Sequence, residues 1–88
     1  MGELVGRRLP DADNGWGEGE FPSQDGDYMK VHGTYHCVCP HGGLVCLAKW
    51  TVTEHEDGTI TAEPSINVLG PEENKWHGWL RKGVFVDA

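Results

Sequence analysis

Tyr35-His36-Cys37-Val38-Cys39-Pro40-His41 gathers two of the chain's three cysteines and two of its five histidines into seven residues. Thiolate and imidazole are the donors zinc prefers, and a structural site takes four of them in a tetrahedron. In an extended chain, side chains two apart share a face. Cys37, Cys39 and His41 are therefore expected on one side, where they could supply three corners. The fourth is assigned to His77, in Trp76-His77-Gly78-Trp79, with Cys46 held as a substitute ligand. A plainer reading stands beside this one. Cys37 and Cys39 also fit as two small buried hydrophobes, Cys46 as core between Val45 and Leu47, His41 as a solvated turn residue, and His77 as a histidine bonded to backbone. His36 points opposite to Cys37, and His32 and His55 read as surface residues.

Catalysis finds less support. A hydrolytic zinc needs three protein ligands, an open position and a carboxylate base nearby. Glu54 and Glu63 are present, but no spacing sets them beside the cysteines. There is no Ser-His-Asp pattern, no phosphate-cradling glycine loop and no H-E-x-x-H. The expectation is a non-catalytic protein, with a zinc-dependent hydrolase ranked behind two binding readings.

The chain has 88 residues, which points to one domain. Its 14 Asp and Glu against 7 Lys and Arg give a formal charge of −7. Such a surface repels phosphate backbones, which argues against nucleic acid as a partner. No apolar run is long enough to span a membrane, and the first residues lack the apolar core of a secretory signal. An odd cysteine count argues for metal ligation or reduced thiols over a disulfide framework. These features together suggest a soluble protein of a reducing cytoplasm.

Two segments are expected. Residues 1–27 hold seven acidic residues and six glycines, a composition that buries little and reads as an extended N-terminal arm. Trp16 and Phe21 are its apolar anchors, set either against the chain's own domain or against a partner. Residues 28–88 read as a small all-β domain, an antiparallel sheet or sandwich of short hairpins. Without the 27-residue arm only 61 of the 88 residues remain, a marginal core. Structural zinc, worth about 10–16 kcal/mol in finger peptides, would stabilise it, as would burial of the tryptophans.

Individual strands can be placed. Leu44 to Ala48 reads as a short buried strand. Trp50–Glu54 and Ile60–Glu63 flank a turn. Trp50 and Val52 meet Ile60 and Ala62 on one side only if Val52 pairs with Ala62 and Glu54 with Ile60. That leaves the three-residue loop Glu56-Asp57-Gly58, with Gly58 at the left-handed position. Pro64-Ser65 is expected to end that strand, Ser65 to Leu69 reads as another, and Gly70 to Asn74 as an exposed acidic loop. Trp76–Arg81 and Val84–Val86 form the closing hairpin, with Phe85 opposite Leu80 and with His77, Trp79 and Arg81 on the other face.

Several of these segments resemble a known group. The Cys37-x-Cys39 start, the Glu63-Pro64-Ser65-Ile66 step and Trp76-His77-Gly78-Trp79-Leu80-Arg81-Lys82-Gly83 are similar to small, zinc-ribbon-like phage and prophage proteins of unknown function. Some of these carry the label of ammonia monooxygenase, which implies copper or iron ligands not evident here. The resemblance covers about residues 35–86 and leaves out the arm. Members often carry a cysteine where this chain has Asn74, Lys75 and Trp76, and a later Cys and His of longer members have no counterpart. The resemblance implies a phage origin, a small β fold and a bound metal, but no activity. The resulting expectation is a phage interaction module. Its partner would be a phage capsid or tail protein, to which it attaches through its arm as a head or tail accessory or decoration protein. The alternative is an effector that binds and inhibits a host protein. The corresponding locations are the virion and the host cytoplasm.

Overall fold

The computed structural model describes residues 2–12 and 21–88. Among them run β1 (Glu3–Val5), β2 (Arg7–Arg8), β3 (Asp27–Val31), β4 (Thr34–Val38), β5 (Leu44–Cys46), β6 (Thr51–Glu54), β7 (Ile60–Val68), β8 (Trp76–Arg81) and β9 (Val84–Asp87). Two short 3-10 turns, Pro40–Gly42 and Glu72–Asn74, interrupt them. The all-β expectation holds. One sheet has the order β1-β9-β8-β7-β6 and the other β2-β3-β4-β5, antiparallel except for the β2–β3 pair.

The sheets are joined by a shared core. Tyr28, Tyr35, Cys37 and Cys39 come from the second sheet and its continuation; Ile60, Ala62, Ile66, Trp76, Leu80 and Phe85 come from the first. The strand period of two decides which residues enter: on β8, Trp76, Gly78 and Leu80 are buried while His77 and Arg81 are exposed. Each large apolar side chain so buried contributes about 1.5–3 kcal/mol. On β3 the same alternation sends Tyr28 to this core and Met29 to a second, smaller cluster with Leu9, Ala12 and Val31.

Both hairpin registers argued from sequence are found. Val52 pairs with Ala62 and Glu54 with Ile60. The loop closes through His55 and Thr59, with Gly58 at φ +88°. Leu80 pairs with Phe85.

Two expectations differ from the structure. Pro64-Ser65 does not end a strand: β7 runs on to Val68. Four residues from Ala62 to Ile66 span only the two from Leu80 to Gly78, so a bulge absorbs the proline, which has no N–H to give. The segment 44–48 is not a buried strand. Among the described residues β5 ends its sheet; Val45 packs against the core and Leu47, just past the strand, is buried in it, while Leu44 (58 %) and Cys46 are exposed. Within the stretch expected as an arm, β1 pairs with β9 and β2 with β3, and Leu9 and Ala12 are buried. The chain passes between the sheets at Gly6, whose N–H donates to the Gly83 carbonyl at 2.7 Å. A Cβ there would lie 2.8 Å from two carbonyl oxygens, so no side chain fits the crossing.

Candidate functional site: the thiol pair and the Leu44–Leu69 cleft

Cys37 lies on β4 and Cys39 just beyond it, on one face as the spacing requires. Both are fully buried, with the sulfurs 4.0 Å apart. The neighbouring Cys39 thiol and burial push the Cys37 pKa well up. A protonated thiol is neither a nucleophile nor a ligand. The separation itself suits two adjacent corners of a soft-metal site, so this half of the expected donor set is assembled.

The other half is not brought to it. His41 breaks the alternation because the chain turns at Pro40–Gly42, where His41 takes φ +73° and lies exposed. Its N–H donates to Asp25 Oδ2 at 3.2 Å and its carbonyl accepts from Asn74 Nδ2 at 2.6 Å. His77 is on the exposed face of β8, with Nε2 3.1 Å from Ser65 Oγ and its ring 6.1 Å from that of Trp79. Cys46 is exposed on the far side of β5. Among the described residues no three His, Cys, Asp or Glu side chains are grouped to hold a metal ion. The Cys37–Cys39 pair thus offers two donors in a closed apolar core, not the four of a structural zinc site.

A polar network occupies the opposite margin. The Tyr35 hydroxyl donates to Glu54 Oε1 at 2.7 Å. Arg8 lies 3.4 Å from Glu54 Oε2, donates to Asp11 Oδ1 at 3.0 Å and to the Gly58 carbonyl at 2.9 Å, and sits 5.3 Å from the Tyr35 ring centre. Burial and the Glu54 bond raise the Tyr35 pKa to about 12. A cleft of about 410 Å³ adjoins this network, lined by Lys30, Tyr35, Trp50, Val52 and Glu54 among others. Its charges already satisfy one another, so it presents little unmet chemistry to a ligand.

The second cleft is different. About 490 Å³ lies between residues 42–45 and 67–74, lined by Leu44, Val45, Val68, Leu69 and Pro71. Leu44 is 58 % and Leu69 77 % exposed. The walls are held at a fixed distance: a Cβ on Gly43 would lie 2.7 Å from Val68 Cγ1, and Asn74 bonds across to His41. The cleft is therefore braced and largely apolar, with two leucines exposed at it.

Sequence reasoning placed Leu69 at the end of a strand over 65–69 and Asn74 in an exposed acidic loop over 70–74, and joined neither to residues 42–45. The available signal was a leucine placed immediately before Gly70-Pro71, where a loop needs none. Of the expected partner anchors, Phe21 is 57 % exposed and Trp16 falls outside the described residues. Among the described residues no helix is long and apolar enough to cross a membrane. No family model, no curated protein and no solved structure matches the chain.

Proposed function

We propose that this chain is a non-catalytic module that binds another protein, and that the Leu44–Leu69 cleft is its contact surface. The observation that carries this reading is the pair of exposed leucines at the mouth of a braced apolar cleft. Leaving both in water is unfavourable, and covering them recovers about 25 cal/mol per Å² of apolar area. The motif resemblance supports a phage setting, in which the partner would be a capsid or tail protein of the virion. The acidic balance of −7 disfavours nucleic acid.

A photo-crosslinking residue at position 69, with a control at Thr53 on the exposed side of β6, tests the reading during phage production. A discrete adduct from position 69 and none from position 53 is expected, with mass spectrometry assigning it to a particle protein. Equal, diffuse labelling from both positions would remove the cleft from consideration. An adduct with a host protein would make the chain an effector instead.

A further inference from the structure

We infer that the partner docks as an extended segment against the outer edge of β5, seating an apolar side chain in the Leu44–Leu69 cleft and placing a basic side chain beside it. This rests on the protein-binding reading above and adds the partner's conformation and charge.

The first argument is hydrogen-bond parity. β4 and β5 pair His36 with Cys46, Cys37 with Val45 and Val38 with Leu44. Flanking that ladder, the Cys39 N–H donates to the Gly43 carbonyl at 2.8 Å and the Leu47 N–H to the Tyr35 carbonyl at 2.9 Å. Bonded and non-bonded pairs alternate in an antiparallel ladder. Gly43, Val45 and Leu47 thus direct their backbone groups to β4, and Leu44 and Cys46 direct theirs away. Among the described residues β5 is the last strand of its sheet. It is short, at three residues, but Leu44-Val45-Cys46 holds neither the lysine nor the proline that commonly guards an edge. Two N–H and two C=O groups therefore form a template that an added strand can read.

The second argument is the apolar cleft beside that edge. An added strand presents alternate side chains to each face, so one can enter the space between Leu44 and Leu69 while its backbone pairs with β5. The braced walls reduce the ordering that binding requires.

The third argument is charge. Asp25 lies against Gly42, with Oδ1 3.9 Å from where a Cβ would stand. Glu72 and Glu73 fall between the lining residues Pro71 and Asn74. Lys75 offsets Glu72 at 3.3 Å, which leaves an acidic rim. A second copy of this chain would set the same carboxylates against each other, on a body already at −7. A segment bearing Lys or Arg meets the rim favourably.

Selection of a random twelve-residue peptide library on the full chain, followed by amide exchange with a selected synthetic peptide, tests the inference. Enriched peptides should alternate apolar and polar residues and carry more Lys and Arg than Asp and Glu. The Leu44 and Cys46 amides should exchange at least tenfold more slowly with peptide bound, and Val45 should change little. N-methylation at alternate peptide positions, and separately Leu69→Asp, should each weaken binding at least tenfold. Leu69 is exposed, so that variant should keep the parent Tm. Acidic binders would overturn the inference, as would a free protein that sediments as a dimer with Leu44 and Cys46 already protected. Binders protecting another surface would sink the edge docking and leave the interaction module standing. A library yielding no binder would sink both.

Discussion

Arg7 and Asp27 face each other across the parallel β2–β3 pair, and the guanidinium grips the carboxylate through Nε at 2.9 Å and Nη2 at 3.0 Å. The Asp27 side chain is almost fully buried and also accepts from the Ser23 and Gln24 N–H groups at 3.3 and 3.1 Å. One acid thereby fixes the two-residue strand β2 and the turn entering β3. It adds side-chain bonds to the backbone ones that the Arg7, Leu9 and Ala12 N–H groups give to the Gly26, Tyr28 and Lys30 carbonyls.

Acid titration should report on this pair. Burial acts to raise the Asp27 pKa, but the Arg7 bonds and the two backbone donors outweigh it and hold the carboxyl below its ordinary range. A depressed folded value stabilises fully above the unfolded pKa of about 4 and is lost as pH falls through the folded value. Asp27→Asn should lower stability at pH 7 by about 1–3 kcal/mol. The gap from the parent should close towards pH 2 in urea titrations. A gap that stays constant with pH would assign the effect to shape rather than charge.

Tyr35 gives the opposite limb. Its pKa, raised to about 12 by burial and the Glu54 bond, stabilises fully below the unfolded value of about 10 and is lost as pH rises through about 12. Burial raises Tyr28 as well. Absorbance at 295 nm should therefore show both tyrosines ionising above pH 10 in the native protein. Tyr35→Phe should remove the later step and flatten the alkaline fall in Tm. Two tyrosines titrating together near 10 would contradict the network.

The three cysteines should separate by reactivity. Cys46 is exposed, whereas Cys37 and Cys39 are closed off at 0 % exposure. An aromatic disulfide reagent should modify one thiol within minutes, and the other two only on the timescale of unfolding. Cys37→Ala should cost about 1–2 kcal/mol through lost packing. Because the four expected ligands are not gathered, a chelator should leave the parent Tm unchanged. A large chelator-induced drop, abolished in Cys37→Ala, would restore a metal to the thiol pair.

Some of this was legible in the sequence, and the residues show why. The β6–β7 register follows from which of Trp50, Val52, Ile60 and Ala62 must share a side, and from Gly58. The Leu80–Phe85 pair follows from the turn at Lys82-Gly83. These are local problems with a period of two. The shared face of Cys37 and Cys39 is local as well. His41 was misplaced on the cysteine face because the turn at Pro40–Gly42 cancels that period; its plainer reading, as a solvated turn residue, is the one the exposed side chain fits. The fate of Glu3–Ala12 was illegible for another reason. Acidic, glycine-rich composition describes what a segment can bury alone, and β1 and β2 are held by partners more than 15 residues away in the chain. The Leu44–Leu69 cleft joins residues more than 20 apart, and nothing periodic links them.

Gly78 supplies the sharpest packing test. It pairs with Asp87 on one side and Ile66 on the other. A Cβ there would collide with the Val86 carbonyl oxygen and with the Trp76 ring. Neither can yield cheaply. The oxygen belongs to the β9 backbone, while the indole donates to Asp87 Oδ1 at 2.7 Å and stands edge-on to Phe85 at 6.0 Å. Gly78→Ala should cost about 3 kcal/mol and lower Tm by more than about 10 °C. Gly33→Ala is the control: nothing lies within 4 Å of its Cβ position, but φ is +80°, so only backbone strain of about 1–2 kcal/mol applies. Thermal unfolding of the two variants separates crowding from strain, and a Gly78→Ala protein as stable as Gly33→Ala would mean that the Trp76 ring does not lie over β8 as described.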